Sequence, residues 1–240
     1  MRQNHKKTCD KQAIDLLFSY RLSIMWLHWP NNAGKITCNR CKHTFLRHKY
    51  PMLYNEKKAA QVAAFFLQAA GSKLSLLKLM KLMYLAERAS LEKYGEPMIG
   101  DKLCSMEHGP VLSHTLNHMN GLRESSPDGW DSWISDRANH ELALLNPIKN
   151  VREDLSLLSD AELVILDDLW ERFSGMTPFE IRDYTHDHCE EWEDPENSSL
   201  PIPYSRLLRC VGYDAKVAKE IEQRMCAQRA VEKMLLTEKQ

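Results

Sequence analysis

Apolar residues recur at helical spacing along most of the chain downstream of residue 52. In NEKKAAQVAAFFLQAAG, Asn55 can cap a helix, the apolar positions fall on one broad face, and Gly71 ends it. A second helix is predicted from about Ser75 to Tyr94, with Gly95 as its stop. Leu and Met cover much of its circumference, so this helix is expected to be the central and most buried one.

The pattern changes after the second helix. GEPMIGDKLCSMEHGP is dense in Gly and Pro and contains short apolar runs, which favours a small hairpin turning at Gly100-Asp101. Gly109-Pro110 is expected to end that hairpin. A short helix should then open near Ser113 and close at Gly121.

Helix signals with clear start and stop residues fill the C-terminal half. Ser159 with Glu162 and Thr177 with Glu180 have capping-box spacing, and Pro178 occupies a favoured first helical position. Further helices are expected from Pro203 to about Leu208 and from Asp214 to about Leu236, and a small strand region from Trp130 to Leu145. The pattern predicts a mainly α fold: a compact helical domain with a small β-hairpin or short-strand element, preceded by an irregular N-terminal extension.

The domain boundary is placed at residues 51 and 52, because no sustained helical or strand period precedes it. Residues 1–51 hold ten Lys/Arg and two Asp/Glu, a balance of +8, although the whole chain carries only −1. This basic extension is interpreted as disordered or as the product of an upstream start, with Met52 as the natural start. Residues 52–240 form the expected domain.

Composition narrows the class of protein further. With 43% hydrophobic and 27% charged residues, the 240-residue chain is typical of a soluble globular protein. Seven Cys at irregular spacing do not suggest a disulfide framework and favour a reducing, cytoplasmic setting. The most apolar early run, residues 14–29, is interrupted by Asp15, Arg21 and His28, so neither secretion nor membrane insertion is expected.

Two arrangements have spacings that occur in metal sites. Cys38 and Cys41 have zinc-knuckle spacing, but the only nearby second pair, His43 and His48, begins one residue later, which is cramped for a closed site. A fortuitous Cys pair is therefore preferred, and no metal or cofactor is expected.

His114 and His118 share a helical face at the spacing that zinc enzymes use, yet Thr-Leu-Asn between them lacks the general-base Glu. A metal-dependent hydrolase using His108, His114 and His118 remains the alternative function.

The segment LLKLMKLMYLAERASLEKYGEPMIGDKLCSMEHGPVLSHTLNHMNG resembles the signature of the Panacea family, the SocA-like antitoxin domain also found in phage-associated proteins. The residues that carry the resemblance are Lys78, Leu79, Lys81, Leu82, Tyr84, Leu85, Ala86, Tyr94, Gly95, Pro97, Gly100, Asp101, His108, Gly109, Pro110, Val111 and Ser113. The likeness extends over about residues 52–235. Glu107 departs from it, since many relatives are expected to have Pro there, which puts the local turn geometry in doubt.

The resemblance implies an antitoxin that neutralises a toxin encoded beside it. Neutralisation would be by direct protein–protein binding, with delivery of the toxin to a cellular protease as a variant found in some members. It implies no enzymatic activity. Because the toxins of the family are chemically diverse, the particular partner does not follow from the resemblance.

Six polar members of the signature are the candidate toxin-binding residues: Lys78, Lys81, Tyr84, Glu87, Asp101 and His108. They are too many for core packing alone, so several are expected to reach solvent or a partner. Gly100, Gly109 and Pro110 are assigned to a structural turn. For Asp101 and His108, the residues by themselves favour a role in fixing that turn over a contact role, and a packed corner is the alternative for the whole segment.

Charge and aromatic content add to this picture. Residues 151–196 contain fifteen acidic and three basic residues, which should attract a basic toxin and repel nucleic acid. The body is therefore not expected to bind nucleic acid. An operator-binding autoregulator that uses the basic extension is a further alternative. Trp192 lies in this acidic stretch and is expected to anchor the core at a helix end rather than to bind a partner.

Overall fold

The capping and periodicity signals of the sequence set most of the helix boundaries. The computed structural model describes residues 54–135 and 137–237, so the expectations for residues 1–51, including those for Cys38 and Cys41, lie outside the described residues. The helices are α1 (Glu56–Ala69), α2 (Leu76–Tyr94), α3 (Ser113–Met119), α4 (Val151–Asp154), α5 (Asp160–Phe173), α6 (Pro178–His188), α7 (Tyr204–Cys210) and α8 (Ala215–Thr237). The strands are β1 (Lys73–Ser75), β2 (Leu103–Met106), β3 (Gly109–Leu112), β4 (Glu141–Ala143) and β5 (Leu200–Pro201), and a 3₁₀ turn spans Trp130–Ser132. The mainly α fold with short strands is confirmed.

The predicted helix ends lie where the sequence placed them. Asn55 accepts the Lys58 N–H at the start of α1, and Ser75 accepts the Lys78 N–H at the start of α2. Gly95 ends α2 in the left-handed conformation with φ +66°. Both capping boxes, at Ser159 and at Thr177, are complete. These ends are correct in the sequence analysis because a cap depends only on neighbours within about four residues.

α2 is the central helix, as its apolar circumference predicts. It packs against α1, α5, α6, α7 and β3, and Leu79, Leu82 and Met83 are fully buried. α1 adds a second apolar layer that includes Phe66 and Leu67. The polar side chains of α2 are therefore enclosed by neighbouring elements over most of its length.

The strands form two small antiparallel sheets. β1 pairs with β4 in one of them, and the order in the other is β3-β2-β5. In the hairpin, Ser105 lies opposite Pro110 and Met106 opposite Gly109. Pro110 has no N–H to donate, and its place on the edge strand β3 makes that tolerable.

The hairpin turns at a different place from the one predicted. Its tip is Glu107-His108, and Gly109-Pro110 begins the returning strand instead of ending the hairpin. Gly100-Asp101 is a separate corner before β2, where Gly100 has φ +78°. The expected turn at Gly100 is wrong because Glu87, on α2, accepts the N–H groups of Ile99 and Gly100 that a strand would use for pairing.

Candidate functional site

Polar side chains occur on α2 at every third position from residue 78 to residue 87, and each one holds a different connecting segment of the domain. These side chains belong to Lys78, Lys81, Tyr84 and Glu87, with relative exposures of 7%, 0%, 0% and 0%. We call these four residues the α2 ladder. Successive steps of three residues rotate around a helix, so the members reach different neighbours.

Lys78 holds the end of α5. Its Nζ donates to the carbonyls of Ser174 and Met176 at 2.7 and 2.6 Å, and it lies 5.7 Å from the centre of the Trp170 ring. Carbonyls at a helix C-terminus lack intrahelical donors, and a cation there also complements the helix dipole. Burial lowers the pKa of Lys78, and the Glu180 carboxylate opposes that effect.

Lys81 holds the returning strand of the hairpin. Its Nζ donates to the Pro110 carbonyl at 2.8 Å in a fully buried position. Burial lowers its pKa to about 7; Arg182 adds to this shift and Cys189 opposes it.

The backbone comes unusually close to Lys81 at Gly109. Gly109 has φ +88°, and a Cβ there would lie 2.9 Å from both Lys81 Nζ and Thr185 Oγ1. Position 109, where β3, α2 and α6 meet, therefore favours glycine for two reasons: its φ is positive, and a Cβ would crowd Lys81 and Thr185.

Tyr84 holds the segment that follows α6. Its hydroxyl donates to Glu191 Oε1 at 2.9 Å, and Arg88 Nε donates to the same oxygen at 3.0 Å. Glu191 is fully buried, and burial together with the Glu191 charge raises the pKa of Tyr84 well above its ordinary value. The Arg88 guanidinium supplies the charge that a buried carboxylate needs.

Glu87 holds the corner before β2. Its carboxylate accepts from Ile99 N at 2.6 Å, from Gly100 N at 2.9 Å and from the Tyr204 hydroxyl at 2.9 Å. Tyr204 also lies 2.8 Å from the Asp101 carbonyl oxygen, so α7 is joined to the same corner. Burial raises the pKa of Glu87 despite these hydrogen bonds.

Asp101 caps α3 from outside that helix. One carboxylate oxygen accepts from His114 N at 2.9 Å, and the other accepts from Thr115 N at 2.8 Å and Thr115 Oγ1 at 2.7 Å. The residue at the N-cap position, Leu112, makes no side-chain cap. A carboxylate at this position satisfies free N–H groups and complements the helix dipole.

Side-chain hydrogen bonds fix the backbone on both sides of the hairpin tip. Lys81 holds Pro110 just after the tip, and Trp192 Nε1 donates to the Met106 carbonyl just before it at 3.0 Å. The Trp192 indole also stacks on His186, with ring centres 4.2 Å apart and planes 7° apart. Glu107 and His108 are exposed between these two supports.

The structure corrects one expectation about the six candidate residues. Five of them, the α2 ladder and Asp101, are buried, and only His108 is exposed. Several of the six were expected to reach solvent or a partner, and Lys78, Lys81 and Glu87 do not reach solvent, because α5, α6 and the hairpin cover α2 on those sides. Gly100 lies at the corner before β2, whereas Gly109 and Pro110 lie in β3 directly after the tip. Toxin contact by any of the six stays a prediction.

The sequence analysis missed two partners of the ladder, Glu191 and Tyr204. Glu191 is one acid among many in HDHCEEWEDPE, and nothing in that run distinguishes it from its exposed neighbours. Tyr204 lies 117 residues from Glu87. Trp192 lies in the segment after α6 and packs against the core, which agrees with its expected anchoring role.

The three histidines of the alternative hydrolase lie in different settings. His108 is at the exposed tip, His118 is buried, and His114 is half-buried near the start of α3. Over residues 54–135 and 137–237, no group of three or more His, Cys, Asp or Glu side chains is arranged to hold a metal ion. In the same part of the chain, no helix is long and apolar enough to cross a membrane.

This arrangement defines a helical domain whose signature residues fix the backbone of a hairpin with an exposed tip and of its neighbouring loops. The model of one protein family, described as antitoxin SocA-like, Panacea domain, matches residues 79–193. The resemblance found in the sequence is thereby confirmed over residues 79–193. The match begins within α2 and ends just after Trp192, so the resemblance outside these residues stays a prediction. Comparisons with curated proteins and with solved structures gave no match.

Proposed function

We propose that this protein is an antitoxin that neutralises a toxin encoded nearby by binding it directly. The observation that carries the proposal is the SocA-like Panacea domain at residues 79–193. The geometry adds support, because the buried polar residues of that domain hold a hairpin in one conformation. A preorganised surface loses less conformational entropy on binding than a mobile one.

The hairpin tip is our candidate contact surface. Glu107 and His108 are exposed, whereas four of the five buried candidates act through the backbone they hold, among them Lys81 on Pro110, Glu87 on Gly100 and Asp101 on α3. The fifth, Tyr84, bonds to the Glu191 side chain. In this proposal His108 contacts the toxin, and the buried residues position the loops around it.

Co-expression with the product of the adjacent reading frame tests the proposal. The wild-type chain should restore growth and co-purify with that product. Neutralisation by delivery to a protease would instead lower the amount of toxin in the cell without a stable complex. A neighbouring product that is harmless when expressed alone would contradict the antitoxin function.

Substitutions at the tip test the contact surface. Glu107→Lys combined with His108→Ala should abolish rescue and leave the thermal unfolding temperature unchanged within a few degrees, since surface changes usually alter stability by at most about 0.5 kcal/mol. Glu124→Lys, at an exposed acid in the loop after α3, is the matched control and should rescue growth. Full rescue by the tip variant would place the contact surface elsewhere.

A further inference from the structure

Aromatic and basic side chains hold the loop between α3 and the 3₁₀ turn against the start of α1. The Arg123 guanidinium lies 5.3 Å from the Tyr54 ring centre, and the His118 ring lies between Tyr54 and Trp130 at 5.7 and 5.9 Å. We call residues 121–131 the flap. Its tip is exposed, and Leu122 is 75% exposed.

One end of the flap is held by a carboxylate. Glu56 accepts from Ser125 Oγ at 2.8 Å, Ser126 N at 3.0 Å and Trp130 N at 2.9 Å. Burial opposes ionisation of Glu56, but these hydrogen bonds outweigh it and lower the pKa of the carboxyl group. This support therefore persists at mildly acidic pH.

The other end of the flap is held by a contact that needs a neutral histidine. Arg123 NH1 lies 2.8 Å from His114 Nδ1. A guanidinium has donors only, so Nδ1 must accept, and the proton of the neutral ring must lie on Nε2. A proton added to Nδ1 would place two donors and two positive charges face to face.

His118 lies beside this contact. Both of its ring nitrogens are buried without a hydrogen-bond partner in the described structure, and Nε2 is 4.0 Å from Glu56 Oε2. Protonation of His118 would put a charge between two aromatic rings, facing the Glu56 carboxylate.

We propose that the flap is an acid-released latch: protonation of His114 breaks its contact with Arg123, and residues 121–124 then move away from Tyr54 while Glu56 still holds Ser125, Ser126 and Trp130. The charged and titratable groups that face the two histidines are Tyr54 just before α1, Glu56 on α1, Asp101 and Lys102 before β2, and Arg123 and Asp131 on the flap and the 3₁₀ turn. Burial and the Arg123 and Lys102 charges lower the pKa of His114, and Asp101 opposes them. The latch should therefore stay closed at neutral pH and weaken progressively as the pH falls from the ordinary pKa of histidine through the lowered pKa of His114.

Amide hydrogen exchange in the full chain tests the latch without any toxin. The reporter is the amide of Leu122, which donates to Asn117 O, and the amides of Ser126 and Trp130, which donate to Glu56, should stay protected. The protection factor of Leu122 should fall between about pH 7.5 and about pH 5, by up to about tenfold per pH unit for one linked proton. An unchanged protection factor of Leu122 over this range would overturn the proposal.

Two substitutions identify the histidine responsible. Asn at position 114 keeps an oxygen acceptor near Nδ1 that does not titrate, so His114→Asn should keep the flap protected and remove the pH dependence. His140→Asn is the matched control, because His140 Nδ1 lies 2.6 Å from Arg137 NH2 outside the flap, and it should leave the pH dependence intact. Loss of the dependence in His118→Phe, with its retention in His114→Asn, would refute the assignment to His114.

The wild-type chain provides a test that needs no variant. The ring C–H resonances of His114 should titrate with the same midpoint as the loss of protection in the flap. A clear separation between the two midpoints would show that the flap responds to another group.

Discussion

At the scale of single residues, the charged side chains of the α2 ladder and Asp101 make hydrogen bonds mainly to backbone groups. Lys78 and Lys81 donate to carbonyls, and Glu87 and Asp101 accept from N–H groups. Burial of a charge is costly unless hydrogen bonds compensate it. Lys78, Lys81, Glu87 and Asp101 therefore each stabilise one backbone conformation in particular, because any other would leave a buried ionisable group without partners.

Lys81 gives a prediction about pH. Its pKa is about 7 in the folded protein against an ordinary value of 10.5. The unfolded chain therefore binds the additional proton between these values, and the free energy of unfolding should rise with pH from about 7 to about 10.5, by up to about 1.4 kcal/mol per pH unit.

Urea unfolding of Lys81→Met measures this contribution. In this variant, the free energy of unfolding should no longer rise with pH as it does in the wild type. Subtracting the variant's free energy of unfolding from that of the wild type removes the contribution of other groups that titrate in the same pH range. Lys93→Met, on an exposed position of the same helix, should keep the wild-type slope. An identical slope in Lys81→Met would show that Lys81 is charged in the folded protein throughout.

At the scale of elements, the hairpin and α6 meet at Gly109. Gly109→Ala should destabilise the domain by about 2–4 kcal/mol, because it combines an unfavourable positive φ with overpacking against Lys81 and Thr185. Gly121→Ala separates the two costs: φ is +66° there and nothing lies within 4 Å of the added Cβ. Gly121→Ala should therefore lower the free energy of unfolding by only about 1–2 kcal/mol. Equal losses in thermal or urea unfolding would contradict the close packing at Gly109.

At the scale of the whole molecule, the helical periodicity of the sequence and its resemblance to the Panacea family both begin at about residue 52. A chain beginning at Met52 should therefore unfold at the same temperature as the full chain within a few degrees and should rescue growth equally well. Calorimetry and the co-expression assay measure the two properties. Loss of folding on truncation would mean that residues 1–51 belong to the domain.

The acidic surface of the molecule should act on the rate of binding. Exposed acids of α5, α6 and the segment after them include Asp167, Asp168, Glu171, Asp183, Asp187 and Glu190. If the toxin is basic, neutralising these residues should slow association at low salt and change dissociation little. Stopped-flow mixing measures both rates, and neutralising Glu124, Glu141 and Glu220, which are exposed elsewhere, is the control. A faster dissociation with unchanged association would instead place these acids in the contact itself.

The sequence by itself determined the helices and the resemblance to the Panacea domain. Asn55, Ser75, Gly95, Ser159 and Thr177 mark helix ends through contacts within a few residues, and the apolar period marks the buried faces. Such signals are local, so they can be recognised without a fold.

Only the tertiary structure decided what the polar residues of the signature do. Lys81 meets Pro110 across 29 residues, Tyr84 meets Glu191 across 107 residues, and Glu87 meets Tyr204 across 117 residues. A charged residue on a helix is exposed in most sequences of this kind, and no local pattern shows that another element will cover it. Burial of these side chains, and the position of the hairpin tip that follows from it, depend on long-range packing that periodicity and caps do not encode.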